Sequence, residues 1–271
     1  MAPPPAVETL LAPVRAAPHQ AALLLDVDGT LAPIVPRAAD AVLLPGVRPL
    51  LERAEERYGL VAFLTGRSVA DFDRMVEMPH LPAGMNHGLQ LRRNGVVEVA
   101  PEAIPFLDTV RAFSEEWANA PVLRTAGIWL EDKGPTLSFH YRSAPDPAYA
   151  RGVLESHVLP AVIAAGLAGG WGRRVLEVRP PVRVNKGTAA RALLAGTDVT
   201  AAVYFGDDRT DTDAWRELRA MRESGELVHV ACILARSAEV DREVAEMADA
   251  EVDGAPGVRD ALKALLEVDG H

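Results

Sequence analysis

Cysteine is nearly absent from this 271-residue sequence: Cys232 stands alone, so no intrachain disulfide can form and the reducing cytoplasm is the expected setting. Cys232 lies within the apolar run Val228–Leu234, where a small buried strand residue is a simpler reading than a catalytic thiol. Positive charge is in deficit. The 28 Lys and Arg against 38 Asp and Glu leave a net charge of −10. A chain of that charge repels nucleic acid and acidic membrane surfaces, so neither is expected as a partner, and an anionic substrate would need a local cationic or metal site. No apolar run approaches the length of a membrane span. Met1–Pro5 lacks a basic start and a sustained apolar stretch, and does not read as a signal peptide. The remaining composition, 49% hydrophobic and 24% charged, is that of a globular protein, long enough for one large domain or for a core with a smaller insertion.

Residues 1–6 read as disordered, and Val7–Ala16 as a short helix. Ala21–Val27 is a continuous apolar run that ends in acid and glycine, the pattern of a buried strand leading into a loop. Val47–Tyr58 has helical spacing, with Gly59 as its expected stop. Leu60–Leu64 is a second buried strand, cut off by Thr65-Gly66-Arg67 and followed by a helix over Val69–Met78. This rhythm predicts an α/β fold with a parallel sheet. The middle of the chain differs. Leu89–Arg92 and Val96–Val99 flank a hairpin signal at Arg93-Asn94-Gly95. Phe106–Asn119 and Ala148–Ala165 read as helices; Val122–Glu131, Thr136–Tyr141 and Arg174–Val178 read as strands. The alternating rhythm resumes with a helix over Lys186–Leu194, a strand over Ala201–Phe205, a helix over Asp211–Ala220, a strand over Val228–Leu234 and a helix over Val258–Leu266. The expected organisation is a parallel-sheet core, 1–104 and 183–271, interrupted by an α+β unit, 105–182.

The chemistry-bearing residues fall at strand ends. Asp26-Val27-Asp28-Gly29-Thr30 follows the first buried strand, and ligands of open α/β sheets bind beyond the carboxyl ends of the strands. Two acids beside a glycine there suit a hard cation and a phosphate, although Asp-x-Asp-Gly also occurs as a plain helix-capping loop. An EF-hand fails: with Asp26 at position one, Leu31 stands where glycine is required and Arg37 where a bidentate Glu is required. Thr65 and Gly66 offer a hydroxyl and backbone N–H groups for phosphate oxygens, or an ordinary turn and cap. Lys186 opens a helix in Asn185-Lys186-Gly187-Thr188, where a solvated lysine is the common case. Gly206-Asp207-Asp208-Arg209-Thr210-Asp211 places three acids after another buried strand: a cation site, or an acidic helix start favoured by the macrodipole.

Taken in order, these four segments resemble the four motifs of the haloacid dehalogenase superfamily of phosphatases, and the insertion resembles that superfamily's larger, C2-type cap. The resemblance implies a Rossmann-like core, with Asp26 as nucleophile and Asp28 as general acid and base. Thr65, Gly66 and Lys186 would hold the phosphoryl oxygens. Mg²⁺ would sit on Asp26, the Asp28 carbonyl and Asp207, with Asp208 and Asp211 as further ligands or supports. Gly84-Met85-Asn86-His87-Gly88, Glu131-Asp132-Lys133-Gly134, Leu137–Arg142 and Leu176–Pro180 resemble trehalose-6-phosphate phosphatases in particular, over about Leu23–Leu266. That narrower resemblance implies a sugar-phosphate substrate, trehalose 6-phosphate, with His87, Glu131, Lys133, Glu177 and Arg179 as substrate contacts. The sequence departs from that family's usual residues at Val27, Gln90 and Thr212. Trp129 and Trp171 read as core or hinge aromatics, and His140 and Tyr141 as packing residues. A phosphatase of another sugar phosphate (sucrose 6-phosphate or a mannosyl-3-phosphoglycerate), a sugar phosphomutase and a non-catalytic sugar-phosphate binder remain as alternatives. A monomer is the working expectation.

Overall fold

The computed structural model describes residues 5–35, 40–172, 174–237 and 240–267. Residues 1–4 of the segment read as disordered lie outside that set; Pro5 and Ala6 belong to the first helix, α1 (Pro5–Ala16). The chain divides into two compact units, residues 1–98 with 184–271, and residues 99–183.

In the first unit, β1 (Ala21–Leu25) is buried at every residue, as its unbroken apolar run requires. Helix α2 (Val47–Arg57) buries Val47, Leu50, Leu51 and Ala54, the one-face stripe of a 3.6-residue period. It ends with Tyr58 in an extended conformation, so Gly59 is not the left-handed stop its position promised. Gly59 is needed for close approach: a Cβ there would land on the carbonyl oxygen of His19. Strand β2 (Leu60–Leu64) leads to α3 (Val69–Val76), whose N-cap, Ser68, accepts the Asp71 N–H at 3.2 Å. Strands β3 (Ala83–Met85), β4 (Gln90–Arg93) and β5 (Val96–Val99) follow. Asn94 and Gly95, at φ +50° and +75°, make the left-handed pair that a two-residue hairpin demands.

The second unit contains α4 (Leu107–Trp117), α5 (Pro121–Ala126), β6 (Trp129–Asp132) and β7 (Leu137–His140). Helix α6 (Pro147–Val153) passes through a π turn, Leu154–Val158, into α7 (Leu159–Ala164). Strands β8 (Ala168–Gly172) and β9 (Val175–Arg179) close it. One expectation fails here, and one strand had none. The segment 122–126, read as strand, is helical, because Pro121 at the first helical position and Gly127 at φ +69° bound a short helix between them. The glycine-rich β8 was not anticipated at all.

The chain returns to the first unit with α8 (Lys186–Leu194), β10 (Ala201–Gly206), α9 (Asp211–Glu223), β11 (His229–Arg236), α10 (Arg242–Ala245), β12 (Ala250–Asp253) and α11 (Gly254–Leu266). Its sheet runs β12-β11-β10-β1-β2-β3-β4-β5; β12 through β3 are parallel and β4 is antiparallel to β3. Alternate residues of β1 feed two cores. Leu23 and Leu25 pack with α1, α2 and α11; Ala22 and Leu24 pack with α8 and α9. Covering both faces is what a parallel sheet needs. The fold is therefore α/β, as its layered rhythm predicts. Among the described residues, no helix is long and apolar enough to cross a membrane.

The second unit's sheet is antiparallel, in the order β6-β7-β9-β8. Leu137, Phe139, Leu176 and Val178 face the helices in one apolar cluster with Val110, Phe113 and Leu154. By strand alternation, Trp129, Glu131, Ser138, His140, Glu177 and Arg179 belong to the opposite face.

Candidate active site

Strands β1, β2 and β10 lie side by side and parallel, so the loops that leave them share one edge of the sheet. Asp26 is the first residue past β1, and its N–H donates to the carbonyl of Phe205 in β10 at 2.9 Å. Thr65 is the first past β2, with its N–H on the Gly84 carbonyl at 2.8 Å. Asp207 is the first past β10. Lys186 arrives from elsewhere, at the first turn of α8. A reciprocal cap fixes that turn: Asn185 Oδ1 accepts the Thr188 N–H, and Thr188 Oγ1 accepts the Asn185 N–H.

Lys186 is only 2% exposed. Its Nζ donates to Asp26 Oδ1 at 2.8 Å and to Asp211 Oδ1 at 2.7 Å. Asp211 also accepts the Tyr204 hydroxyl at 2.6 Å on Oδ1, and the N–H groups of Asp207 and Asp208 at 2.9 and 3.0 Å on Oδ2. Four donors occupy this one carboxylate, about the number its lone pairs accommodate. Asp211 thus ties the loop after β10 to the lysine. Asp208 Oδ1 accepts both the N–H and the hydroxyl of Thr210 at 2.7 Å, which fixes the same loop from outside.

Asp26, Asp207 and Asp211, all buried, each offer an oxygen within 4.8 Å of the others. Hard carboxylate oxygens facing a single lysine fit a divalent cation, with Asp211, already accepting four hydrogen bonds, supporting the group. Gly29 leaves room for this grouping. It sits at φ +77°, and a Cβ there would land on Asp207 Oδ2. The charges respond accordingly. Burial pushes the Asp26 carboxyl well above the usual range; Lys186 pulls it down, while Asp211, Asp207 and Asp208 push it further up. Burial likewise raises Asp211 against the pull of Lys186. Burial disfavours the Lys186 ammonium, yet Asp211 and Asp26 outweigh it and hold its pKa well above normal. In Asp208, burial is outweighed by Lys186 and the bonds from Thr210, and the pKa falls.

Asp28, two residues past Asp26, is held by the guanidinium of Arg67, Nε to Oδ2 at 2.7 Å and Nη2 to Oδ1 at 2.6 Å. Thr65 Oγ1 accepts the Arg67 N–H at 3.2 Å, closing the Thr65-Gly66-Arg67 turn. His87 lies against this turn. Its N–H reaches the Thr65 carbonyl at 3.0 Å, and a Cβ on Gly66 would meet its ring at 2.5 Å. Asn86 and His87 hold φ of +48° and +56°, a left-handed pair uncommon outside glycine. The three departures from the resembled family have local roles: Val27 is core, Gln90 Oε1 accepts Asn86 Nδ2 at 2.6 Å, and Thr212 Oγ1 donates to the Arg209 carbonyl.

Thus Asp26, Asp28, Thr65, Gly66, His87, Lys186, Asp207, Asp208 and Asp211 share one edge of the first unit. Glu131, Lys133, Glu177 and Arg179 belong to the second. There Glu131 Oε2 lies 2.8 Å from His140 Nε2 and 3.9 Å from Lys133 Nζ, and Ser138 pairs with both Glu131 and Glu177 across the strands. Trp129 is not a core aromatic: it is 54% exposed and stacks on His140 with centroids 4.2 Å apart. Trp171 is half-buried beneath the Arg151 guanidinium, and Tyr141 is buried. Two residues escaped the reading of the sequence. Arg67 was in view only as the last letter of a turn. Tyr204 lies in an apolar strand, and nothing in the surrounding residues signals its hydroxyl.

Known proteins resemble this chain over most of its length. The family model described as trehalose-phosphatase matches residues 24–246. A "probable trehalose-phosphate phosphatase" of Sinorhizobium fredii is 33% identical over 207 residues, 74% of this chain and 74% of that one. "Probable trehalose-phosphate phosphatase D" of Arabidopsis thaliana is 31% identical over 219 residues; the match covers 74% of this chain but 57% of the plant protein, so this chain spans little more than half of that relative's length. The C-terminal domain of Candida albicans trehalose-6-phosphate phosphatase superposes with a TM-score of 0.76 over 96% of each chain at 20% identity, which shows a shared fold. With a match that runs from β1 past the acidic loop after β10, the chain belongs to the trehalose-phosphatase family.

Proposed function

We propose that the chain is a Mg²⁺-dependent phosphomonoesterase that hydrolyses trehalose 6-phosphate to trehalose and phosphate. The observation that carries the reading is the contact of Lys186 with Asp26 beside Asp207, within a chain of this family. A buried carboxylate paired with a fixed ammonium is a nucleophile next to a phosphate-binding charge.

In this reading an oxygen of Asp26 attacks phosphorus, the phosphorus–oxygen bond to the sugar breaks, and Asp28 gives its proton to the departing sugar oxygen. Asp28 then takes a proton from water, whose oxygen attacks the aspartyl-phosphate and releases phosphate and free Asp26. Lys186 and the Thr65-Gly66 turn hold the phosphoryl oxygens. Asp26, Asp207 and the Asp28 carbonyl would hold the Mg²⁺, which supplies charge compensation for the phosphoryl group and the carboxylates. Asp211 and Asp208 support that set, since they accept hydrogen bonds from the lysine, the tyrosine and the loop. Glu131, Lys133, Glu177 and Arg179, with His87, offer the charged groups that read sugar hydroxyls. We place the protein in the cytoplasm as a monomer, which cell fractionation and light scattering would check.

The test is phosphate release from a panel of sugar phosphates with Mg²⁺, including trehalose 6-phosphate, sucrose 6-phosphate and mannosyl-3-phosphoglycerate. Trehalose 6-phosphate should have the highest kcat/KM. Faster turnover of another member would overturn the substrate assignment, and phosphate transfer to a second hydroxyl without release would make the protein a mutase.

A further inference from the structure

The Arg67 side chain is buried, and its guanidinium meets the carboxylate of Asp28, which is 44% exposed. Both bonds are short, and together they form a fork-to-fork pair: Nε on Oδ2 at 2.7 Å and Nη2 on Oδ1 at 2.6 Å. Such a pair fixes the plane of the carboxylate, which a single contact does not. It also leaves Asp28 able to work. A carboxylate has about four lone-pair sites, and a bidentate guanidinium takes two of them. The guanidinium is itself fixed, because the Arg67 N–H bonds Thr65 Oγ1 at 3.2 Å and the Arg67 carbonyl accepts the Asn86 N–H at 2.9 Å. The two loops that follow β1 and β2 are therefore joined through this contact.

We propose that Arg67 is the positioning residue for Asp28, holding its carboxylate in the plane from which it exchanges a proton with the sugar oxygen. Arg67 itself transfers no proton and forms no bond to the substrate. The inference rests on the phosphatase reading above and deepens it. It predicts a dependence on the leaving group. A sugar alkoxide cannot depart without a proton, whereas nitrophenolate departs as the anion. Loss of Arg67 should therefore harm the first reaction much more than the second.

The experiment compares wild type, Arg67→Lys, Arg67→Met, Asp28→Asn and the double variant Asp28→Asn/Arg67→Lys on trehalose 6-phosphate and on p-nitrophenyl phosphate, each with Mg²⁺. Lysine keeps the charge but lacks the fork. For Arg67→Lys, kcat on the sugar phosphate should fall by about 10²-fold, the scale of one positioned acid–base group, and on the nitrophenyl ester by only a few-fold. In the double variant, the lysine substitution should cost nothing beyond Asp28→Asn. Equal losses on both substrates, or additive losses in the double variant, would overturn the proposal and leave Arg67 as a phosphate contact or a structural residue. If wild type prefers another sugar phosphate, the substrate assignment fails on its own, and the same comparison runs on that ester.

Discussion

Lys186 Nζ lies 2.8 Å from Asp26 Oδ1, and the two charges are buried together, 160 residues apart in the chain. Taking an ammonium and a carboxylate out of water costs several kcal/mol each, which only close pairing and further hydrogen bonds offset. Here the second carboxylate, Asp211, gives the ammonium its additional partner, and Tyr204 and two backbone N–H groups satisfy Asp211 in turn.

Lys186→Met should therefore strand two buried carboxylates. Breaking such a network from one side costs about 3–5 kcal/mol. The loss should depend on pH in a definite direction. Burial already raises the Asp26 and Asp211 pKa values, and removing the ammonium raises them further, so the folded variant binds protons that the unfolded chain has released. Its stability then falls as pH rises and recovers as pH falls toward about 5. Urea midpoints measured across that range check this; a deficit that does not change with pH would mean that the carboxylates are not its source.

Asp26→Asn is nearly isosteric and removes the nucleophile, so turnover should vanish while the far-ultraviolet spectrum stays unchanged. It also removes one of the three clustered oxygen donors. Mg²⁺ at 100 times its dissociation constant should stabilise the wild type by about 2.7 kcal/mol. Thermal shifts with Mg²⁺ and with a chelator should show most of that gain lost in the variant. An undiminished shift would place the cation elsewhere.

Much of this centre was legible in the sequence, for a physical reason. Strands of a parallel sheet are buried on both faces, so β1, β2 and β10 appear as unbroken apolar runs, and the polar residues that end them mark the edge where ligands bind. What escaped depends on tertiary fit. β8 carries Gly169, Gly170 and Gly172, poor strand formers by propensity, and Gly169 lies under α7, where a Cβ would come within 2.6 Å of Leu159 Cδ1. Two of residues 122–126, Val122 and Thr125, are β-formers by type, and the helix depends on what brackets them, Pro121 and Gly127. Trp129 reads in the sequence as a core or hinge aromatic, whereas it stacks on His140 of the polar face. The Arg67–Asp28 pair joins residues 39 apart, and no local pattern encodes such a contact.

Gly29→Ala should act through its neighbour Asp207. Left-handed φ costs an alanine about 1–2 kcal/mol. The added Cβ would also collide with Asp207 Oδ2, so the carboxylate must move. Mg²⁺ affinity, read from the concentration dependence of thermal stabilisation, should weaken even though every acidic residue is intact. Unchanged affinity would show that Asp207 is not held against this loop.

Cys232 should be inert. Burial, with Asp249 nearby, pushes its pKa to about 12 against the pull of Arg219. A raised thiol pKa means less thiolate at any given pH, and the thiolate is the reacting form. Iodoacetamide at about pH 9 should leave the native protein unlabelled and label the denatured chain once. Rapid native labelling would contradict the burial of β11.

On the second unit, Glu131 is the residue where the charged groups converge, since its Oε2 meets His140 Nε2 at 2.8 Å and Lys133 Nζ at 3.9 Å. Glu131→Gln keeps the size and removes the charge. The Lys133 ammonium then loses an anionic neighbour, and a sugar hydroxyl loses a charged acceptor. A hydrogen bond to a charged group is worth about 1.5–3 kcal/mol, which corresponds to a rise in KM of about 10- to 100-fold. The loss should appear on trehalose 6-phosphate and be much smaller on p-nitrophenyl phosphate, which carries no sugar. Because the Trp129–His140 stack and the antiparallel pairing of β6 with β7 do not depend on the charge, the sheet should melt at nearly the same temperature. A loss of equal size on both substrates would show that Glu131 serves the reacting centre or the fold, and the polar face would then not read the sugar.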